Sequence, residues 1–125
     1  MHLLALPAFD DNYIWILHDG AAAVVVDPGD ATPVIEALRA QQLALAAVLI
    51  THHHADHVGG LDALYQACGS AVTQVYLPVA DGVAPGAHAS VPASAIHFVQ
   101  GDDHITLLGS PFRVIDVPGH TAGHV

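Results

Sequence analysis

Positive charge is nearly missing from this chain. Arg39 and Arg113 are its only basic residues, against twelve acidic ones, giving a formal net charge of −10 with histidine neutral. Affinity for nucleic acid rests on Lys and Arg neutralising phosphates, so a nucleic-acid partner is not expected. The same balance disfavours an anionic membrane surface. Cysteine is equally scarce. Cys68 stands alone, which excludes an intrachain disulfide and fits a reducing compartment. It reads as a small buried hydrophobe near a helix end, not as a nucleophile. Long apolar runs are absent too: Ala21–Val26 falls far short of the roughly 20 residues a membrane-spanning helix needs. The start Met1-His2-Leu3-Leu4 has no basic region ahead of an apolar one, so no secretory leader is visible. The expectation is a soluble cytoplasmic protein without a membrane or nucleic-acid partner.

What the chain has in excess is histidine, with eleven in 125 residues, on a background that is 53% hydrophobic. That length fits one domain with a core. Strands are predicted over 2–6, 13–17 and 22–26, with Asp19-Gly20 as the turn between the last two. Thr32 reads as an N-cap with Pro33 at the first helical position, opening a helix over about 33–42. Ala46–Ile50 reads as a strand buried under helices. A second helix is predicted from near Asp56 to Cys68, and a strand over 72–77. Residues 78–95 read as loop. Two or three antiparallel strands follow, near 95–99, 104–108 and 111–117. The order predicts an α/β fold, a mixed sheet layered with helices.

The chemistry concentrates in Thr51-His52-His53-His54-Ala55-Asp56-His57-Val58-Gly59-Gly60. Four imidazoles and a carboxylate occupy six positions directly after a strand. Residues two apart in an extended segment point the same way, so His52 and His54 project together and His53 away. Asp56 and His57, adjacent at the following helix start, are placed to face a second metal. A second segment, Pro118-Gly119-His120-Thr121-Ala122-Gly123-His124, also follows a predicted strand. His52, His54 and His120 together leave one tetrahedral position open, the ligand count of a catalytic zinc site. Imidazole and carboxylate suit Zn²⁺, Mn²⁺ or Fe²⁺, and no thiolate narrows the choice. His53 and His124 read as non-ligands. His2, His18, His88, His97 and His104 read as surface or core-edge residues.

The HxHxDH pattern resembles the metallo-β-lactamase superfamily. The form THHHADHVGG is most similar to its glyoxalase II branch, the hydroxyacylglutathione hydrolases. Pro7-Ala8-Phe9-Asp10-Asp11-Asn12-Tyr13-Ile14-Trp15, Val25-Val26-Asp27-Pro28-Gly29-Asp30 and Pro118–Val125 resemble that branch as well, so the likeness extends over essentially the whole chain. It implies a metallo-β-lactamase-like αββα sandwich, of which residues 1–125 form the N-terminal part. It further implies two divalent metal ions, zinc first, with iron or manganese as alternatives. By position, His52, His54 and His120 would hold one and Asp56 and His57 the other. The substrate implied is a small glutathione thioester, S-D-lactoylglutathione, cleaved to glutathione and D-lactate in methylglyoxal detoxification. Asp56 would orient the attacking hydroxide as the catalytic residue. Asp27 either orients a ligand imidazole from behind or serves only as the turn-former before Pro28-Gly29.

The chain departs from the branch at its end. The family's bridging carboxylate, a further histidine and the helical glutathione-binding domain have no counterpart here, because Asp81, Asp102, Asp103 and Asp116 all precede His120. The expectation is one tightly bound metal and little thioesterase activity in this polypeptide alone. Rival readings are another hydrolase of the same fold, a persulfide dioxygenase, and a truncated metal-binding module without catalysis.

Overall fold

Alternating aliphatic residues build the main sheet. The computed structural model describes residues 1–9, 12–52, 58–79 and 90–116. Strands β1 (His2–Ala8), β2 (Asn12–His18) and β3 (Ala22–Val26) form an antiparallel meander. β4 (Ala44–Leu49), β5 (Gln74–Pro78) and β6 (Ile96–Val99) then add in parallel, so the six-stranded sheet runs β1 to β6 in sequence order. Parallel neighbours require a long crossover. Helix α1 (Ala31–Ala40) supplies it between β3 and β4, and helix α2 (Leu61–Cys68) lies between β4 and β5. Pro7, which cannot donate to a ladder, falls on the edge strand β1, where it is tolerated.

Side-chain alternation divides the sheet's two faces. Ile14, Ile16, Val25, Val48, Val75 and Leu77 point to the helical side and form one core with Val34 and Leu38 of α1 and Leu61 and Leu64 of α2. Val24, Ala47, Leu49 and Tyr76 point the other way, where a two-stranded hairpin of β7 (His104–Leu107) and β8 (Ser110–Arg113) covers them through Ile105, Leu107 and Phe112. The layers are therefore helix, sheet and hairpin. Leu3, Tyr13 and Trp15 share the hairpin face but stay exposed.

Three predicted details are corrected. The first helix opens two residues early, at Ala31, and its N-cap is Asp30 instead of Thr32. Asp30 Oδ1 accepts from Thr32 N (3.2 Å), which makes Thr32 part of the first turn. Asp30→Ala removes this acceptor and is expected to cost about 1 kcal/mol, read as a lower urea midpoint with unchanged slope. The strand near 95–99 is parallel to its neighbour β5, not antiparallel, with Val75 opposite Ile96. The long 79–95 connection is what permits that crossover. The last strand stops at Arg113, short of 117. Asp116 Oδ1 accepts from Gly101 N (2.8 Å) and folds the chain back onto the β6–β7 turn.

The Asp19-Gly20 turn forms as predicted, with Gly20 at φ +91°. Asp19 Oδ1 accepts from the backbone N–H of Ala22 (2.8 Å) and Ala21 (2.9 Å). These donors, Ala22 first, hold the exposed carboxyl below the usual carboxylate range. Its small contribution to stability is present above the unfolded pKa of about 3.9 and fades as pH falls through the lower folded value. Among the described residues no helix is long and apolar enough to cross a membrane.

Candidate metal centre

The parallel pairing of β3 with β4 decides what stands beside the histidine motif. Val26 lies opposite Leu49, so Asp27 emerges next to Ile50 and Thr51, at the carboxyl ends of both strands. Ligand sites of open α/β sheets gather at those ends. Asp27 N donates to Leu49 O (2.8 Å), which prolongs the pairing by one residue. The chain then turns sharply: Asp27 sits at φ +53°, in the left-handed region that Asp and Asn enter most readily among non-glycine residues. Gly29 N closes the turn on Asp27 O (2.8 Å).

Asp27 is buried, and its carboxylate grips Thr51 at two points. Oδ1 accepts from Thr51 N (2.7 Å) and Oδ2 from Thr51 Oγ1 (2.6 Å). Thr51 Oγ1 in turn lies 2.9 Å from Nδ1 of His52. His52 is only 2% exposed, and its Nε2 is withdrawn from solvent as well. The first histidine of the motif is therefore a buried imidazole at a strand end, with one nitrogen turned to a hydroxyl and the carboxylate of Asp27 behind that hydroxyl.

A second contact fixes the far end of the motif. Gly60 N donates to Pro28 O (2.8 Å), seating the segment that leads into α2 on the Asp27–Asp30 turn. A Cβ at Gly60 would overlap Pro28 O and stand 2.6 Å from Ala31 N, so only glycine permits this approach. Val58, just before it, is buried in the helical core. Both ends of the THHHADHVGG stretch are thus anchored on one turn, the one that follows β3.

Of the site residues predicted from sequence, His52 and Asp27 are described and are brought together through Thr51. His54, Asp56, His57 and His120, together with His53 and His124, lie outside the described residues. Among the described residues no group of three or more His, Cys, Asp or Glu side chains comes together to hold a metal. His18 is buried at the core edge and its Nδ1 accepts from Gly20 N (3.1 Å), while His97 pairs with Gln74 and stacks on Tyr76. Cys68 is half-buried and packs against the helical core. Thr51 is the residue sequence reading passed over. Its signal was a β-strand register that sets the last acidic residue after β3 beside the first polar residue after β4.

A cavity of about 250 Å³ opens beside Thr51, between the main sheet and the hairpin. Val26, Leu49, Tyr76, Phe112 and Ile115 give it an apolar lining.

Comparison with known proteins identifies the family and the fold. A family model described as the metallo-beta-lactamase superfamily matches residues 8–125. A hydroxyacylglutathione hydrolase of Albidiferax ferrireducens is 50% identical over 125 residues, covering 100% of this chain and 44% of that protein. One of Photobacterium profundum is 46% identical, covering 97% of this chain and 44% of that protein. The chain thus spans less than half the length of these relatives. Among solved structures, the BLEG-1 B3 metallo-beta-lactamase superposes with a TM-score of 0.79 at 28% identity, over 98% of this chain and 65% of that one. ETHE1 from Myxococcus xanthus gives a TM-score of 0.72 at 27% identity, over 99% of this chain and 52% of that one.

Proposed function

Since this chain belongs to the metallo-β-lactamase superfamily, we propose that it is the metal-binding N-terminal portion of a cytoplasmic hydroxyacylglutathione hydrolase. The reading is supported by relatives of that name at 43–50% identity across nearly the whole of this chain. One structural observation carries the metal half of it. His52 is a buried imidazole whose Nδ1 meets a hydroxyl that a carboxylate holds in place, a support of the kind that orients ligating histidines.

The donor chemistry fits a divalent cation, with zinc first and iron or manganese as alternatives. His52, His54 and His120 would hold one ion; Asp56 and His57 would contribute to a second. Such a cation supplies Lewis acidity, polarising a thioester carbonyl and allowing water to act as a nucleophile near neutral pH. The protein's share is to keep the imidazoles oriented, through Asp27 and Thr51 at the first of them. Asp56 is the residue assigned to orient the attacking water and take up its proton. The substrate is a small glutathione thioester, S-D-lactoylglutathione. Its glutathione-binding contacts and the second ion's remaining ligands are assigned to sequence outside these 125 residues.

Two measurements test the proposal together. Calorimetric titration of the 125-residue chain with zinc is expected to give about one tight equivalent, since three histidines complete one site and leave the other short of ligands. The complete gene product is expected to hydrolyse S-D-lactoylglutathione in a chelator-sensitive way. Two tight equivalents in the 125-residue chain would overturn the ligand assignment. A complete gene product that ignores the thioester, but opens β-lactams or consumes oxygen with glutathione persulfide, would overturn the substrate.

A further inference from the structure

We propose that Asp27 and Thr51 form a directional hydrogen-bond relay that fixes His52 as its Nδ1–H tautomer. The proposal deepens the metal-site reading above and rests on it for its consequence, though not for its geometry.

The direction follows from counting protons. Asp27 Oδ1 accepts from the backbone N–H of Thr51, a donor that cannot reverse. Asp27 Oδ2 stands 2.6 Å from Thr51 Oγ1, and a carboxylate only accepts, so the single hydroxyl proton of Thr51 points at Asp27. Thr51 Oγ1 has then spent its proton. It meets His52 Nδ1 at 2.9 Å, and two acceptors do not approach that closely without a hydrogen between them. The proton must sit on Nδ1. A neutral imidazole carries one N–H, so the lone pair is on Nε2. That is the nitrogen which a metal, or any other electrophile at this strand end, would take.

The relay is built by the fold and not by neighbouring sequence. Asp27 and Thr51 are 24 residues apart and meet only because β3 and β4 pair in parallel at the register that sets Val26 opposite Leu49. The left-handed backbone at Asp27 turns the chain away from the sheet directly after this residue. Thr51 acts here as a positioning residue: it touches the ring, and Asp27 acts through it.

Two substitutions separate direction from mere packing. Thr51→Val keeps the shape of the side chain and removes the hydroxyl. Asp27→Asn keeps the size and tolerates the left-handed backbone. Its amide oxygen must face Thr51 N, because that backbone group donates. Its NH₂ must then face Thr51 Oγ1, which turns the hydroxyl proton toward His52. The relay runs backward, and the stable tautomer becomes Nε2–H.

The test reads tautomers in the metal-free 125-residue chain by long-range ¹H–¹⁵N correlation of the imidazole rings, at a pH where they are neutral. His52 is assigned by the signals lost in His52→Gln. The expected pattern is Nδ1–H in the wild type and in Thr51→Ser, a mixture in Thr51→Val, and Nε2–H in Asp27→Asn. Backbone amide spectra check that each variant is folded. Zinc affinity, measured by competition with a chromophoric chelator, is expected to fall about 10- to 100-fold in Thr51→Val and Asp27→Asn and to recover in Thr51→Ser. An Nε2–H ring in the wild type, or Nδ1–H retained in both folded variants, overturns the relay. The expected tautomers in a chain that takes up no zinc would uphold the relay and remove the metal reading instead.

Discussion

Gly60→Ala is expected to destabilise the chain by about 3 kcal/mol or more, the upper range for overpacking a close-fitted interior. The atoms in the way are backbone. An added Cβ would overlap the Pro28 carbonyl oxygen, stand 2.6 Å from Ala31 N and 2.9 Å from the Asp30 carbonyl carbon. Side chains can rotate out of a clash, but these atoms belong to the turn that ends β3 and opens α1. Moving them breaks the Gly60 N to Pro28 O bond or shifts the start of a helix that packs on the core through Val34 and Leu38. Gly60 lies at φ −94°, so the cost comes from space and not from backbone conformation. Thermal unfolding should register a midpoint lowered by about 10 °C or more. A midpoint within a degree or two of wild type would mean the two segments separate without penalty and that the turn does not hold the motif.

Replacement of His52 by alanine should have the largest effect on metal binding, a loss of more than about 100-fold in zinc affinity. Residues that only support a ligand are worth 10- to 100-fold, and removal of the ligand itself must exceed that ceiling. The apo fold should survive the change. Asp27 and Thr51 still satisfy each other through the two bonds between them, so no buried charge is left without compensation. Chelator competition measures the affinity, and denaturation of the metal-free variant measures what the missing ring costs in packing. Wild-type zinc affinity in a folded His52→Ala chain would remove His52 from the site.

Much of this fold is legible in the sequence because period-two and helical patterns are local. Ala22–Val26 and the Asp19-Gly20 turn are read directly, since β-branched runs and Asp-Gly carry their own geometry. Thr32-Pro33 carries a capping signal of its own, and only the Asp30 to Thr32 N contact shows that the cap lies two residues earlier. The direction of β6 is not legible in the sequence for a different reason. Strand direction is set by where the connection runs, and the 79–95 segment, rich in Ala, Pro and Gly, has no pattern that reports a crossover. At the site, His52 announces itself by spacing. Thr51 does not, because a threonine after a strand is ordinary. Its importance arises from the β3–β4 register, which places an acid from 24 residues away against it.

The mixed direction of the sheet also sets how quickly the chain can find its structure. β1, β2 and β3 follow one another closely in sequence and can zip on the microsecond scale of hairpins. Each parallel strand after them must wait for a loop containing a helix, or the long 79–95 connection, to close before its first contact forms. That entropy is spent ahead of any gain. Refolding should therefore be paced by the docking of β4 and β5 onto a meander already in place, the slow regime of chains dominated by distant contacts. Because Asp27 and Thr51 sit on the two sides of that β3–β4 junction, the proposed support of His52 cannot be assembled before the slow step is complete.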